Sequence, residues 1–159
     1  MSGSTTLDSI SACFSNRVVP WETQRDALLK LRELCKDPQR PLRANMIDSN
    51  IKNGLIKCVS DNRSALVSEA CNTITDLCRA IGQPFEFAAC DIFIGIIDKC
   101  ASGVNSISMK VSECCTSIVT LIHMERLINY LERYLKSKRH SPISPLTVAI
   151  KSKLKSLAV

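Results

Sequence analysis

The sequence predicts an all-α chain, a solenoid of about four stacked helix pairs. Three observations predict it. Apolar residues recur at spacings of three and four over long stretches, the mark of helices with one buried face. Strand-like alternation is absent over any useful length. The expected starts of the longer helices, Trp21, Ser64, Ser106 and Ser144, stand 43, 42 and 38 residues apart. That spacing is close to the roughly 40–47-residue period of HEAT and armadillo arrays, so the fold class is a HEAT-repeat α-solenoid.

The first pair is expected at 6–16 and 21–36. Pro20 precedes Trp21 at the start of its second helix, Ala27/Leu28, Leu31 and Leu34/Cys35 form the apolar stripe, and Cys35 and Lys36 close it before Pro38 and Pro41. The second pair is 46–59 with 64–81. Asp61-Asn62-Arg63-Ser64 supplies its turn and an N-cap. Leu66/Val67, Ala70/Cys71, Ile74, Leu77/Cys78 and Ile81 then make the cleanest stripe of the chain. Gly82 stops that helix, and Pro84 suits the first turn of the next.

The third pair is 85–101 with 107–122. Its first helix carries Ala88/Ala89, Ile92/Phe93, Ile96/Ile97 and Cys100, and residues 102–106 provide a turn and cap. The fourth pair is 125–137 with 144–157, interrupted by the two prolines of 138–145, expected to be the most flexible stretch. No pair can bury its apolar face alone. Stacking neighbours makes one continuous core, so 1–159 is expected to be a single domain.

Composition agrees. Hydrophobic residues at 45% and charged residues at 23% are ordinary for a globular chain, while only 4% are aromatic. A core of Leu, Ile, Val, Ala and Cys suits thin helical layers. No apolar run reaches the roughly 18–20 residues of a membrane span, and the start lacks a basic region followed by an apolar one. The expectation is a soluble intracellular chain without membrane insertion.

Nine cysteines raise the alternatives of a disulfide framework or a metal site. The count is odd, no C-x-x-C pair occurs, and most fall on apolar stripes, so they read as buried thiols acting as small hydrophobes. The adjacent Cys114 and Cys115 cannot both face inward on a helix with one buried face; one of them is expected to be semi-exposed.

The net charge of +6 is unevenly placed. All 15 acidic residues lie in 1–132, where Lys and Arg number 14. Arg133, Lys136, Lys138, Arg139, Lys151, Lys153 and Lys155 follow without an acid among them. A basic end of this kind implies an acidic partner. Nucleic acid or anionic lipid is one reading of it, though the segment is poor in the aromatic residues that stack on bases.

Catalytic patterns are missing. There is no P-loop, no G-x-G-x-x-G and no G-x-S-x-G elbow, and the five glycines are scattered. His123 and His140 stand in no metal-ligand spacing. The residues point to no enzyme, no cofactor, no metal site and no small-molecule substrate.

The run Asp61-Asn62-Arg63-Ser64-Ala65-Leu66-Val67-Ser68-Glu69-Ala70-Cys71 closely resembles the D-x-R-S-x-x-V-x-E-A-C segment of the CLASP-type TOG domain, where it joins two helices of the second HEAT repeat. Trp21-Glu22, followed by Ala27-Leu28 and Lys30, resembles that family's W-E-x-x-x-x-A-L-x-K opening. His123-Met124-Glu125-Arg126-Leu127-Ile128 resembles its H-x-x-R-L-I start of the fourth repeat. The likeness runs from about Pro20 to Leu131.

In that family the turns within repeats line one edge and contact tubulin. Residue by residue, the resemblance singles out Trp21 at the first turn and Arg63 at the second. Trp21 also reads as a core or repeat-capping aromatic, and Arg63 as a solvated or carbonyl-capping turn residue. At the third turn the family's Lys is replaced by Asn105, which leaves Lys110, one turn on, as the nearest substitute. A full TOG domain has six repeats against about four here, which implies docking rather than polymerase work. The resemblance thus implies a non-catalytic structural or regulatory protein of the cytoplasmic cytoskeleton, the axoneme included. Its implied partners are tubulin or the microtubule lattice and other microtubule-associated proteins. The alternative reading is a HEAT adaptor for another protein.

Overall fold

The structure, a computed structural model, describes residues 2–125 together with 127 and 129. Among these residues six α-helices follow one another: α1 (Ser2–Ser15), α2 (Trp21–Cys35), α3 (Ser49–Val59), α4 (Ser64–Ile81), α5 (Glu86–Ile96) and α6 (Asn105–Leu121). They form three hairpins packed in two layers. The first helices α1, α3 and α5 pack in succession, and the second helices α2, α4 and α6 do the same. This is an all-α, HEAT-like solenoid, as the period predicts. The expected fourth pair, 125–137 with 144–157, lies outside the described residues apart from its first positions. The 138–145 segment and the basic residues Arg133, Lys136, Lys138, Arg139, Lys151, Lys153 and Lys155 lie wholly outside them.

The helix ends follow from local chemistry. Pro20, extended at φ −56° and ψ 145°, stands before α2, and its carbonyl accepts from the N–H groups of Thr23 and Gln24 at 3.1 and 3.2 Å. The second pair starts later than expected. Asp48 caps α3, its Oδ1 accepting from the Ile51 N–H at 2.9 Å, and residues Ala44–Met46 form a separate 3₁₀ turn. Neither Ser64 nor Ser106 is a cap; the N-cap positions belong to Arg63 and Val104, whose side chains make no capping bond. Gly82 ends α4 at φ 75° and ψ −149°, a conformation closed to other residues without strain. The expected 85–101 helix is divided: α5 tightens into a 3₁₀ segment, Ile97–Ala101, after the β-branched run that surrounds Gly95.

Among the described residues the core is apolar except for Thr73, whose hydroxyl donates to the Glu69 carbonyl at 2.7 Å. Leu28, Leu55, Leu66, Ile74, Phe93 and Ile118 are fully buried, each worth about 1.5–3 kcal/mol relative to exposure. Two glycines set the spacing of the first layer. At Gly54 of α3 an added Cβ would collide with the Phe14 ring of α1, and at Gly95 of α5 it would meet Ile56 Cγ2 of α3 at 2.8 Å. Polar ties cross the seams between repeats. Arg32 of α2 bonds Glu69 at 3.1 Å and Asp76 at 2.9 Å, both on α4, and Lys52 of α3 reaches Asp91 of α5 at 2.8 Å. The Gln83 side chain donates to the His123 carbonyl at 2.7 Å and accepts from its N–H at 3.0 Å, joining the ends of α4 and α6.

All nine cysteines are free thiols; Cys58, Cys71, Cys78, Cys114 and Cys115 are buried, and the other four are half-buried. The expectation that Cys114 or Cys115 is semi-exposed fails. Helix α6 is covered on two sides: Cys114 donates to the Cys71 carbonyl of α4 at 3.7 Å, while Cys115 meets Cys100 of the 3₁₀ segment at 3.9 Å.

Candidate functional site

The turn of each hairpin returns the chain from the first layer to the second, so the three turns fall along one edge of the stack. They share one local device. An Asn, Asp or Ser side chain accepts the backbone N–H two residues ahead: Asn16 from Val18 at 3.2 Å, Asp61 from Arg63 at 2.8 Å, and Ser102 from Val104 at 3.2 Å. These short side chains mimic a backbone turn. The residue two positions on is then carried outward. Val18 is 86% exposed and Val104 51% exposed, and the Arg63 side chain is 56% exposed.

Trp21 and Arg63 come together. The Arg63 guanidinium carbon lies 5.7 Å from the centroid of the Trp21 ring, within cation–π range. Trp21 is half-buried, its ring packed on the core. It is therefore both of the things its sequence context allows, a repeat-covering aromatic and a surface group. Arg63 also faces Asp61, with Nη1 3.4 Å from Oδ1. Asp61 thus holds both the backbone and the side chain of Arg63, leaving most of a five-donor guanidinium turned to solvent.

Lys110 is placed apart from this pair. It lines a polar groove of about 260 Å³ between α2, α4 and α6, together with Arg32, Asn72, Asp76, Arg79 and Glu113. Among the described residues no hydrogen bond or ion pair joins Lys110 to Trp21 or Arg63. The hydrogen bond to Asp76, ahead of the Glu69 contact, holds the Arg32 guanidinium even more firmly charged than usual.

Val18 and Val104 are candidate site residues that the sequence pattern does not single out. The signal was present: an apolar residue two positions after Asn16 or Ser102, outside any helical stripe. It is weak, because Val19 beside Val18 has the same chemistry and is half-buried.

Among the described residues no helix is long and apolar enough to cross a membrane. Residues 4–144 match the profile of a protein family described as CLASP N terminal, a span that includes all three turns. No curated protein matches the chain.

Proposed function

We propose, because this chain belongs to the CLASP N-terminal family, that it is a tubulin-binding module whose contact edge is the row of turns within its repeats. The family is one of microtubule-associated regulatory domains, structural rather than enzymatic in kind. We read 1–159 as one such module, non-catalytic and placed on microtubules.

The observation that supports the reading best is the equivalence of Val18, Arg63 and Val104, each displayed by the same turn device, with Arg63 held over Trp21. Tubulin surfaces are acidic. A guanidinium pre-positioned by an aromatic face and a carboxylate loses little freedom when it takes up a charge-assisted hydrogen bond. Trp21 beside it supplies the rigid apolar area typical of interface anchors. The valines extend an apolar contact along the edge. The basic residues from Arg133 to Lys155 add an ionic attraction that salt weakens.

Co-sedimentation with microtubules tests the assignment. The double variant Trp21→Ala with Arg63→Ala is expected to leave the pellet at concentrations where Lys110→Ala remains bound. If the double variant binds undiminished while neutralising Lys151, Lys153 and Lys155 abolishes binding, the basic end is the site and the edge is not.

A further inference from the structure

We propose that Cys100 and Cys115 form a peroxide-responsive thiol pair, a modification site that closes to a disulfide between the 3₁₀ segment Ile97–Ala101 and helix α6. Their sulfurs already touch at 3.9 Å. A disulfide needs about 2.05 Å, so closure requires an approach of about 1.9 Å. The short 3₁₀ segment is the element suited to supply it. It lies against α6, where the Ser108 hydroxyl donates to the Cys100 carbonyl at 2.6 Å, and its 3₁₀ hydrogen bonds have poorer geometry than those of an α-helix.

The two thiols differ in access and acidity. Cys100 is half-buried, whereas Cys115 is fully buried, so Cys100 is the more accessible of the two. A hydrogen bond from Cys115 favours the Cys100 thiolate, and with Ser112 it outweighs burial to bring that thiol below its ordinary range. The same bond, then burial, holds Cys115 well above its own. Cys100 is thus the attacking sulfur and Cys115 the resolving one. Cys114 is turned away, toward the Cys71 carbonyl.

The chemistry balances with one hydroperoxide. The Cys100 thiolate attacks a peroxide oxygen, the O–O bond breaks, and the departing oxygen takes up the thiol's proton, leaving a sulfenic acid. The Cys115 sulfur then attacks the Cys100 sulfur, the S–O bond breaks, and hydroxide leaves as water with the Cys115 proton. The thiols give up two electrons and the peroxide gains them.

The test treats the full chain with hydrogen peroxide and maps disulfides by mass spectrometry without reduction. Trypsin separates the two cysteines, since cleavage after Lys99, Lys110 and Arg126 yields peptides 100–110 and 111–126. The expected product is these two peptides joined through Cys115, its yield unchanged by Cys114→Ala and lost with Cys100→Ser. In Cys115→Ala oxidation is expected to stop at a Cys100 sulfenic acid that a 1,3-dione labels. A wild-type chain in which this cross-link fails to form while other thiols oxidise overturns the proposal, as does a cross-link running through Cys114. The wild-type map decides the matter even where a variant fails to fold.

Discussion

Arg63 lies over the face of Trp21, its guanidinium carbon 5.7 Å from the ring centroid, although 42 positions separate the two residues in the chain. That separation is one repeat, so the contact joins the turn of the second hairpin to the start of α2 in the first. Because the pair is partly solvated, it is worth about 0.5–1 kcal/mol. Arg63→Ala is therefore expected to lower the thermal midpoint only slightly. Trp21 is the sole tryptophan, and its fluorescence emission should shift in Arg63→Ala while far-ultraviolet circular dichroism stays unchanged. An unaltered emission spectrum would show that the stacking is absent in solution.

Arg32 is the main polar tie between α2 and α4, bonding both Glu69 and Asp76 with its side chain about a quarter exposed. Arg32→Ala is expected to cost about 1–3 kcal/mol, since two carboxylates lose a shared partner. Arg32→Lys should recover only part of this, because an ammonium cannot reproduce the two-pronged geometry. Urea denaturation at low and high salt measures both, and the wild-type advantage should shrink at high salt.

Much of the fold is legible in the sequence. Pro20, Gly82 and the stripe from Leu66 to Ile81 mark boundaries through local physics, and the period of the helix starts gives the stacking. What escaped was set by contacts distant in sequence. Cys115 is covered in part by Cys100, on the 3₁₀ segment into which the third repeat's first helix tightens. Arg32 finds partners 37 and 44 residues away, and nothing in its own helix names them. At the site, Trp21 and Arg63 were legible through the family likeness. Val18 and Val104 depend on turn geometry that two-residue patterns signal weakly, and the groove that Lys110 lines between α2, α4 and α6 is not visible in helical spacing alone.

Substitutions at Gly54 and Gly82 should fail for different reasons. Gly54→Ala drives a methyl into the Phe14 ring, and overpacking of this kind costs about 1–3 kcal/mol. Adding Phe14→Leu should return part of the loss. At Gly82 nothing lies within 4 Å of an added Cβ, so Gly82→Ala pays only for backbone strain, about 1–3 kcal/mol, and no second-site truncation should relieve it. Denaturant midpoints of the single and double variants distinguish the two.

Alkaline pH should destabilise the fold through its buried thiols. Burial pushes Cys58 and Cys78 from an ordinary 9.0 up to about 12. The unfolded chain releases these protons near pH 9 while the folded chain keeps them, so the contribution is full below that pH and is lost as pH rises toward 12. Each thiol removes about 1.4 kcal/mol per pH unit within that window. Urea midpoints measured on either side of pH 9 should fall on the alkaline side, and Cys78→Ala should flatten the slope even as it lowers the plateau.

If the row of turns is the tubulin-binding edge proposed above, Arg63 stands at its centre. The microtubule affinity of Arg63→Glu, titrated by co-sedimentation beside the wild type, tests this. Reversing a charge that anchors the contact should weaken binding at least about thirtyfold, the cost of a hot-spot residue of about 2 kcal/mol, with helicity preserved. An affinity within twofold of the wild type would remove Arg63 from the contact and with it the proposed edge.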